Sequence, residues 1–432
     1  MPGVPSVPRL PFVPDILGRI HVPKDLDEVT TVGVEAPAGG QMGEAGVERI
    51  WKAAQSWYRS GVHPAIQLCV RYQGDVVLDR AIGHSLGNGP TDNSKTPKLP
   101  VTPDTPFTVY SAAKGVTAFL THKLIERGHF ALEDRVADHI PGYEANGKGE
   151  ITIGQVLSHR AGVPNLPRDA LDLDAVGDRD RLVRILCEAK PASEPGKRLA
   201  YHAISGGYIL GEIIERTTGK PIRQALADEF LNPLGFRWTN YGVAPDDVDK
   251  VARDYLTGAR PLPPLSTLLT RALGLPLGEL VEAATDPRFL TAVVPAGNLV
   301  TTANELSRFF EVMRRGGELD GVRVIEPETI RTALTEQSHM EIDFSLGFPT
   351  RFSYGLMLGA QIVSLYGRDT QHAFGHLGFT NILGWADPQR ALSAAFLTSG
   401  KPVFYPELAR FLGLSQRITS EAPKVEPAAI AL

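Results

Sequence analysis

The sequence predicts an α/β (α+β) protein in which one antiparallel sheet, flanked by helices, is assembled from both ends of the chain, with a mainly helical lobe inserted between them. Three observations predict it. Toward the start, AIQLCVRYQGDVVLDRAIG alternates about the Gln73-Gly74-Asp75 turn as a β-hairpin does. Toward the end, TNILGWADPQRALSAAFLTSG repeats that form about Asp387-Pro388-Gln389-Arg390. Between the two, helical periodicity prevails over 112–127, 182–189, 205–218 and 303–315. Strands at both ends of a chain with helices in the middle call for a sheet completed by distant segments.

Taken in order, residues 1–45 are a proline- and glycine-rich extension, with repeated Val-Pro units and then PAGGQMG, too sparse in periodic apolar residues to form a core of its own. It is expected to wrap the domain. Val47, Ile50, Trp51, Ala54, Trp57 and Tyr58 recur at helical spacing and open a catalytic domain over 46–412. Its α/β lobe comprises 46–115 and 292–412, and its helical lobe 116–291. The apolar, proline-broken segment 258–280 reads either as a cap over the cleft or as a plain loop. A final helix is expected over about 406–411, followed by a tail, 413–432.

At 432 residues the chain exceeds the size at which single cores stop growing, so a two-lobed unit with a deep cleft is expected. A net charge of -5 with no Lys/Arg block argues against a nucleic-acid partner. Cys69 and Cys187 each lie in an apolar stretch and read as buried thiols. The N-terminus lacks the features of a secretory signal, and no stretch reaches the ~18 apolar residues of a membrane span, so the expectation is a cytoplasmic protein without an integral membrane segment. The sequence leaves oligomeric state open.

The chemistry concentrates at TPFTVYSAAKGVTAFLTHKLIERG, where a helix begins near Ser111 and ends at Gly128. Residues three apart on a helix share a face, so Ser111 and Lys114 are neighbours at the positive end of the helix dipole. A serine hydroxyl is a poor nucleophile until a base takes its proton. A lysine, near ~10.4 in water, serves as that base only where burial or nearby positive charge lowers its pKa. The Ser-x-x-Lys pair alone arises by chance about once in a chain this long, so context has to carry the assignment.

The segment VTPDTPFTVYSAAKGVTAFLTHKLIERGHFALEDRVADHIP resembles the nucleophile segment of class C β-lactamases, penicillin-binding peptidases and family VIII carboxylesterases. ITIGQVLSHRAGVPNL, EPGKRLAYHAISGGYILGEIIERTTGKP, VPAGNLVTTANELSRFF and FGHLGFTNILGWADP resemble that family's later blocks in the same order, over roughly 46–412. The resemblance implies a β-lactamase/transpeptidase-like fold and a serine hydrolase. In it Ser111 is acylated, Lys114 is its partner, and Tyr201 serves as base toward the serine and acid toward the leaving group. It also implies an oxyanion hole built from the N–H groups of Ser111 and of Phe379, which follows the third-motif glycine, Gly378. No cofactor and no metal are implied.

Two departures from the β-lactamase pattern are informative. The Lys-Thr-Gly motif reads His376-Leu377-Gly378, and Tyr-x-Asn reads Tyr201-His202-Ala203. In the family the lysine holds the β-lactam carboxylate and the asparagine donates to the amide beside the ring; an ester requires neither, and His-x-Gly is what the esterase branch commonly shows. The expectation is therefore a carboxylesterase acting on small-molecule esters, with His376 orienting the proton network or the substrate. The alternatives are a β-lactamase or D-Ala-D-Ala peptidase-like amide hydrolase, or a ligand-binding protein without turnover. His159 and His202 read as structural. Gly83-His84-Ser85-Leu86-Gly87 spells a lipase elbow, but the proline-rich stretch after it supplies no helix to expose Ser85. His372 and His376 lack an acidic third ligand for a metal.

Overall fold

The computed structural model describes residues 17–37, 42–167, 170, 172–264, 266–267, 269–270, 275–379, 381–403 and 407–425. The Val-Pro repeats of 1–16, most of the glycine-rich stretch after residue 37 and part of the cap segment 258–280 lie outside them.

The main sheet comprises β1 (Thr30–Val32), β2 (Ala65–Tyr72), β3 (Asp75–Leu86), β4 (Leu99–Pro100), β5 (Ser338–Ile342), β6 (Pro349–Phe352), β7 (Met357–Leu358), β8 (Phe374–Gly378), β9 (Ile382–Asp387) and β10 (Leu392–Thr398). Its order is β1-β3-β2-β10-β9-β8-β7-β6-β5, with β4 added to β3, and the paired strands are antiparallel. The first hairpin meets the last at β2 and β10, where Ile66 faces Thr398 and Tyr72 faces Leu392. A sheet closed by distant segments is thus what the strand pattern foretold. Its two central strands are buried along their whole length, which is why they read as continuous apolar runs with less alternation than a one-sided sheet would show.

Helices cover both faces. One is packed by α1 (Gly43–Tyr58), whose Ile50, Trp51, Ala54 and Trp57 share a core with Ile66, Leu68 and Phe396 of the sheet. The lobe between the sheet's halves contains α2 (Ala113–Glu126), α3 (Arg179–Glu188), α4 (Ser205–Thr218) and α5 (Leu277–Ala283). On the second face α6 (Ala303–Arg314) lies across β2, β9 and β10. The last helix, α7 (Glu407–Glu421), packs on α1, and its Leu414 and Ile418 are core residues. It runs well past residue 411, where the apolar spacing first marks it. The described part of the extension lies against the domain: Thr30–Val32 pairs with β3, and Ile20 and Leu26 are buried.

Ser85 lies within β3, its hydroxyl turned to the carbonyl of Leu99 at 3.4 Å, and β4 follows instead of a helix. The elbow setting is absent.

Candidate active site

The strand Phe107–Thr108 leads into a single 3-10 turn, Tyr110–Ala112, which runs straight into α2. Ser111 therefore stands at the head of a continuous helical segment and is partly exposed, while Lys114, one turn on, is 9% exposed. The helix dipole points its positive end at the serine. Lys114 Nζ lies 3.2 Å from Ser111 Oγ, and it donates to the carbonyls of Ala203 at 2.6 Å and Ala296 at 3.0 Å. No carboxylate balances it among its hydrogen-bond partners, and burial lowers its pKa to about 7.

Tyr201 comes from the stretch just before α4. Its ring lies 4.9 Å from Lys114 Nζ. Burial holds its pKa above the ordinary phenol value, with a hydrogen bond to Ser111 acting in the opposite sense. The three side chains that spacing and resemblance single out are therefore brought together. Asp343 locks the tyrosine in place: its Oδ1 accepts from the backbone N–H of Tyr201 at 3.1 Å, and from those of Ser345 and Leu346 at 2.8 and 3.0 Å. Gly207 in α4 lets that helix approach Ala296, since a Cβ there would lie 2.6 Å from Ala296 Cβ. This approach brings the second carbonyl to Lys114.

Three histidines surround the pair. His376 on β8 is 1% exposed, contacts the Leu377 carbonyl through Nδ1 at 2.7 Å and packs 6.2 Å from the Tyr201 ring. Burial first, and the charge of Lys114 second, lower its pKa to about 3, so it is neutral. His159 accepts from the His202 N–H at 3.3 Å and its ring packs against that of Tyr201, 4.8 Å between centroids and tilted by 57°. His202 is held by the Ala200 carbonyl at 2.7 Å. These contacts agree with a structural reading of His159 and His202.

Gly378 and Phe379 close the far side. A Cβ on Gly378 would lie 2.2 Å from the Val109 carbonyl oxygen, so only glycine lets β8 pass this close to the nucleophile segment. Phe379 follows at φ +34°. A pocket of about 90 Å³ opens beside Ser111, lined by Leu173, Val176, Leu280, Ala284, Phe289 and Phe379 among others, and among the described residues its wall has no charged side chain. Leu275 and Leu280 bring the end of segment 258–280 into that wall. Asp343 and the carbonyls of Ala203 and Ala296 were invisible to motif reading, because a backbone acceptor leaves no residue-type signal. Among the described residues no cluster of three metal-ligating side chains occurs, and no helix is long and apolar enough to cross a membrane.

An antiparallel sheet flanked by helices, with Ser111, Lys114 and Tyr201 gathered at the head of α2, is the arrangement of a β-lactamase-fold serine hydrolase. The Beta-lactamase family matches residues 47–416, and the chain belongs to it. It is 30% identical over 345 residues to the esterase/beta-lactamase LipL of Mycobacterium tuberculosis, covering 75% of this chain and 76% of the relative. A penicillin-binding protein homologue from Caulobacter crescentus superposes with a TM-score of 0.75 at 25% identity, over 89% of this chain and 99% of that one. A family VIII carboxylesterase shares the fold with a TM-score of 0.73 at 24% identity, over 89% and 99%.

Proposed function

We propose that the protein is a carboxylesterase that works through an acyl-enzyme on Ser111, with Lys114 as the base and Tyr201 as the acid. The observation that carries this is the setting of Lys114. A neutral amine has two N–H groups and one lone pair; the carbonyls of Ala203 and Ala296 occupy the N–H groups, which leaves the lone pair for the Ser111 hydroxyl 3.2 Å away. With a pKa of about 7 that neutral form is accessible near neutrality.

In acylation, Ser111 Oγ bonds to the ester carbonyl carbon as its proton passes to Lys114. The negative oxygen of the tetrahedral adduct sits against the N–H groups of Ser111 and Phe379. Tyr201, kept protonated by burial, gives its proton to the departing alkoxide as the C–O bond breaks, and the proton on Lys114 restores the phenol. Water then attacks the acyl carbonyl, loses its proton to the same pair, and Ser111 regains its hydrogen as the carboxylic acid leaves.

Esters are favoured over β-lactams by what surrounds the serine. His376, neutral, stands where a carboxylate-binding lysine is usual, Ala203 offers no side-chain donor, and the described residues of the pocket wall carry no charge. The name of the mycobacterial relative keeps β-lactam cleavage as the reading to compare against. The test is a nitrophenyl ester series run beside a chromogenic cephalosporin, on wild type and Ser111→Ala. We expect ester turnover that Ser111→Ala abolishes and little cephalosporin cleavage; faster cleavage of the cephalosporin would overturn the ester assignment.

A further inference from the structure

The residue before the nucleophile, Tyr110, lies at φ +49°, a left-handed conformation that is strained for a bulky residue. Such strain persists only where the surroundings hold it, and at Tyr110 they do so from both ends. The phenol hydroxyl donates to Asp254 Oδ2 in a short hydrogen bond. Asp254 Oδ1 pairs with Lys401 Nζ at 3.0 Å, and Lys401 also donates to the Thr398 carbonyl at 2.5 Å. The ammonium lies 5.1 Å from the centre of the Tyr110 ring. Tyr110, Asp254 and Lys401 are 6%, 6% and 0% exposed. The backbones on either side are joined too: Tyr255 N–H donates to the Ser399 carbonyl at 2.9 Å, and Lys401 N–H to the Tyr255 carbonyl at 2.8 Å. An unbroken buried chain of bonds thus runs from the end of β10 to the residue that precedes Ser111.

The same ring also packs on Phe379, centroid to centroid 5.1 Å, with the planes 32° apart. Tyr110 therefore touches both residues whose N–H groups are assigned to the oxyanion hole, one through its own peptide bond and the other through its ring. We propose that Tyr110, anchored by Asp254 and Lys401, is a positioning residue that sets the spacing of the Ser111 and Phe379 N–H groups. The proposal rests on the reading of Ser111 as the nucleophile. A buried ion pair adds little net stability over an apolar replacement. What it supplies here is a fixed acceptor, so that the tyrosine cannot relax toward an unstrained backbone and carry the serine N–H with it.

The test is Tyr110→Phe in the full chain, which removes one oxygen and keeps the ring on Phe379. Sites are counted by labelling with a fluorophosphonate, so that kcat is expressed per competent site even if some protein misfolds. An alkyl boronic acid then reports the oxyanion hole directly, because its tetrahedral adduct on Ser111 places an oxygen there. We expect kcat to fall by about 10- to 100-fold, the range of a misplaced rather than a deleted donor. KM should stay within about twofold, and boronate binding should weaken by the same factor as kcat. Asp254→Asn should move kcat and boronate affinity together in the same direction. A labelled Tyr110→Phe enzyme whose boronate affinity equals that of wild type overturns the proposal, whatever its kcat. Wild type that resists labelling, with Ser111→Ala turning over normally, sinks the nucleophile assignment and the positioning role with it.

Discussion

Lys114 and Lys401 are both amines buried within a short reach of the nucleophile segment, and the protein uses them in opposite ways. Lys401 faces Asp254 at 3.0 Å. Burial pushes its pKa down while the carboxylate works against that, and the contact with Asp254 makes the lysine an anchor. Lys114 has two backbone carbonyls and a serine hydroxyl in place of a carboxylate, so burial acts unopposed and brings it to about 7. The difference lies in the partner: Lys401 faces a carboxylate, and Lys114, which we propose as the base, faces none.

The sharpest way to break this comparison is to remove the Lys114 amine. Lys114→Met should lower kcat at least 10³-fold for any ester that wild type hydrolyses, and Lys114→Arg should lose as much although it keeps a cation, because a guanidinium cannot accept the serine proton. Arginine retaining more than a tenth of the activity would make the role of Lys114 electrostatic.

Stability should separate the two lysines by size. Lys401→Met leaves Asp254 buried with only Tyr110 for company, and should cost about 3–5 kcal/mol in denaturant unfolding. Lys114→Met should cost far less, because it also removes a buried charge. The fall from 10.5 to about 7 corresponds to about 5 kcal/mol of penalty on the charged form. That gain is offset by leaving two carbonyls without a donor, about 1–3 kcal/mol each. The penalty is complete below about pH 7. It fades as pH rises toward 10.5, because over that interval the unfolded chain binds the proton that the folded one has released. Wild type should therefore gain on the mutant between pH 7 and 10, and a difference flat with pH would show that burial does not set the lysine's charge.

The same titration has a kinetic face. If the neutral amine is the active form, kcat/KM should rise with pH through a limb near 7. His376 is not a rival source of it, since burial and the Lys114 charge take its pKa to about 3.

The contrast also explains what the sequence could and could not reveal. The two hairpins, the helices α2 and α4 and the Ser111–Lys114 spacing were legible because periodicity and a fixed helical repeat are local properties of the chain. Tyr201 was legible only through the order of resembling blocks, since a lone tyrosine carries no signal. The Asp254–Lys401 pair joins residues far apart in sequence, and nothing near Asp254 in ARDYL or near Lys401 in TSGKP distinguishes an anchor from a surface charge. The same blindness hid Asp343 behind Tyr201. The final helix was underestimated because Gly413 interrupts the apolar spacing at the point where Leu414 and Ile418 resume it.

A third buried lysine supplies the most discriminating prediction, with the smallest effect on catalysis. Lys148 is 0% exposed, and its ammonium donates to the carbonyls of Ala145, Cys187 and Ala189 at 2.6, 2.8 and 2.7 Å, tying a turn to the end of α3. Three acceptors satisfy all three N–H groups of the charged form and leave no hydroxyl waiting for a lone pair, so this site should hold a cation where the Lys114 site holds a base. Lys148→Met should cost about 1–3 kcal/mol of stability for each carbonyl it orphans, with kcat and the limb near pH 7 unchanged. Should that limb move in Lys148→Met, it would not belong to Lys114, and the lone-pair argument would lose its kinetic support even with the active-site geometry intact.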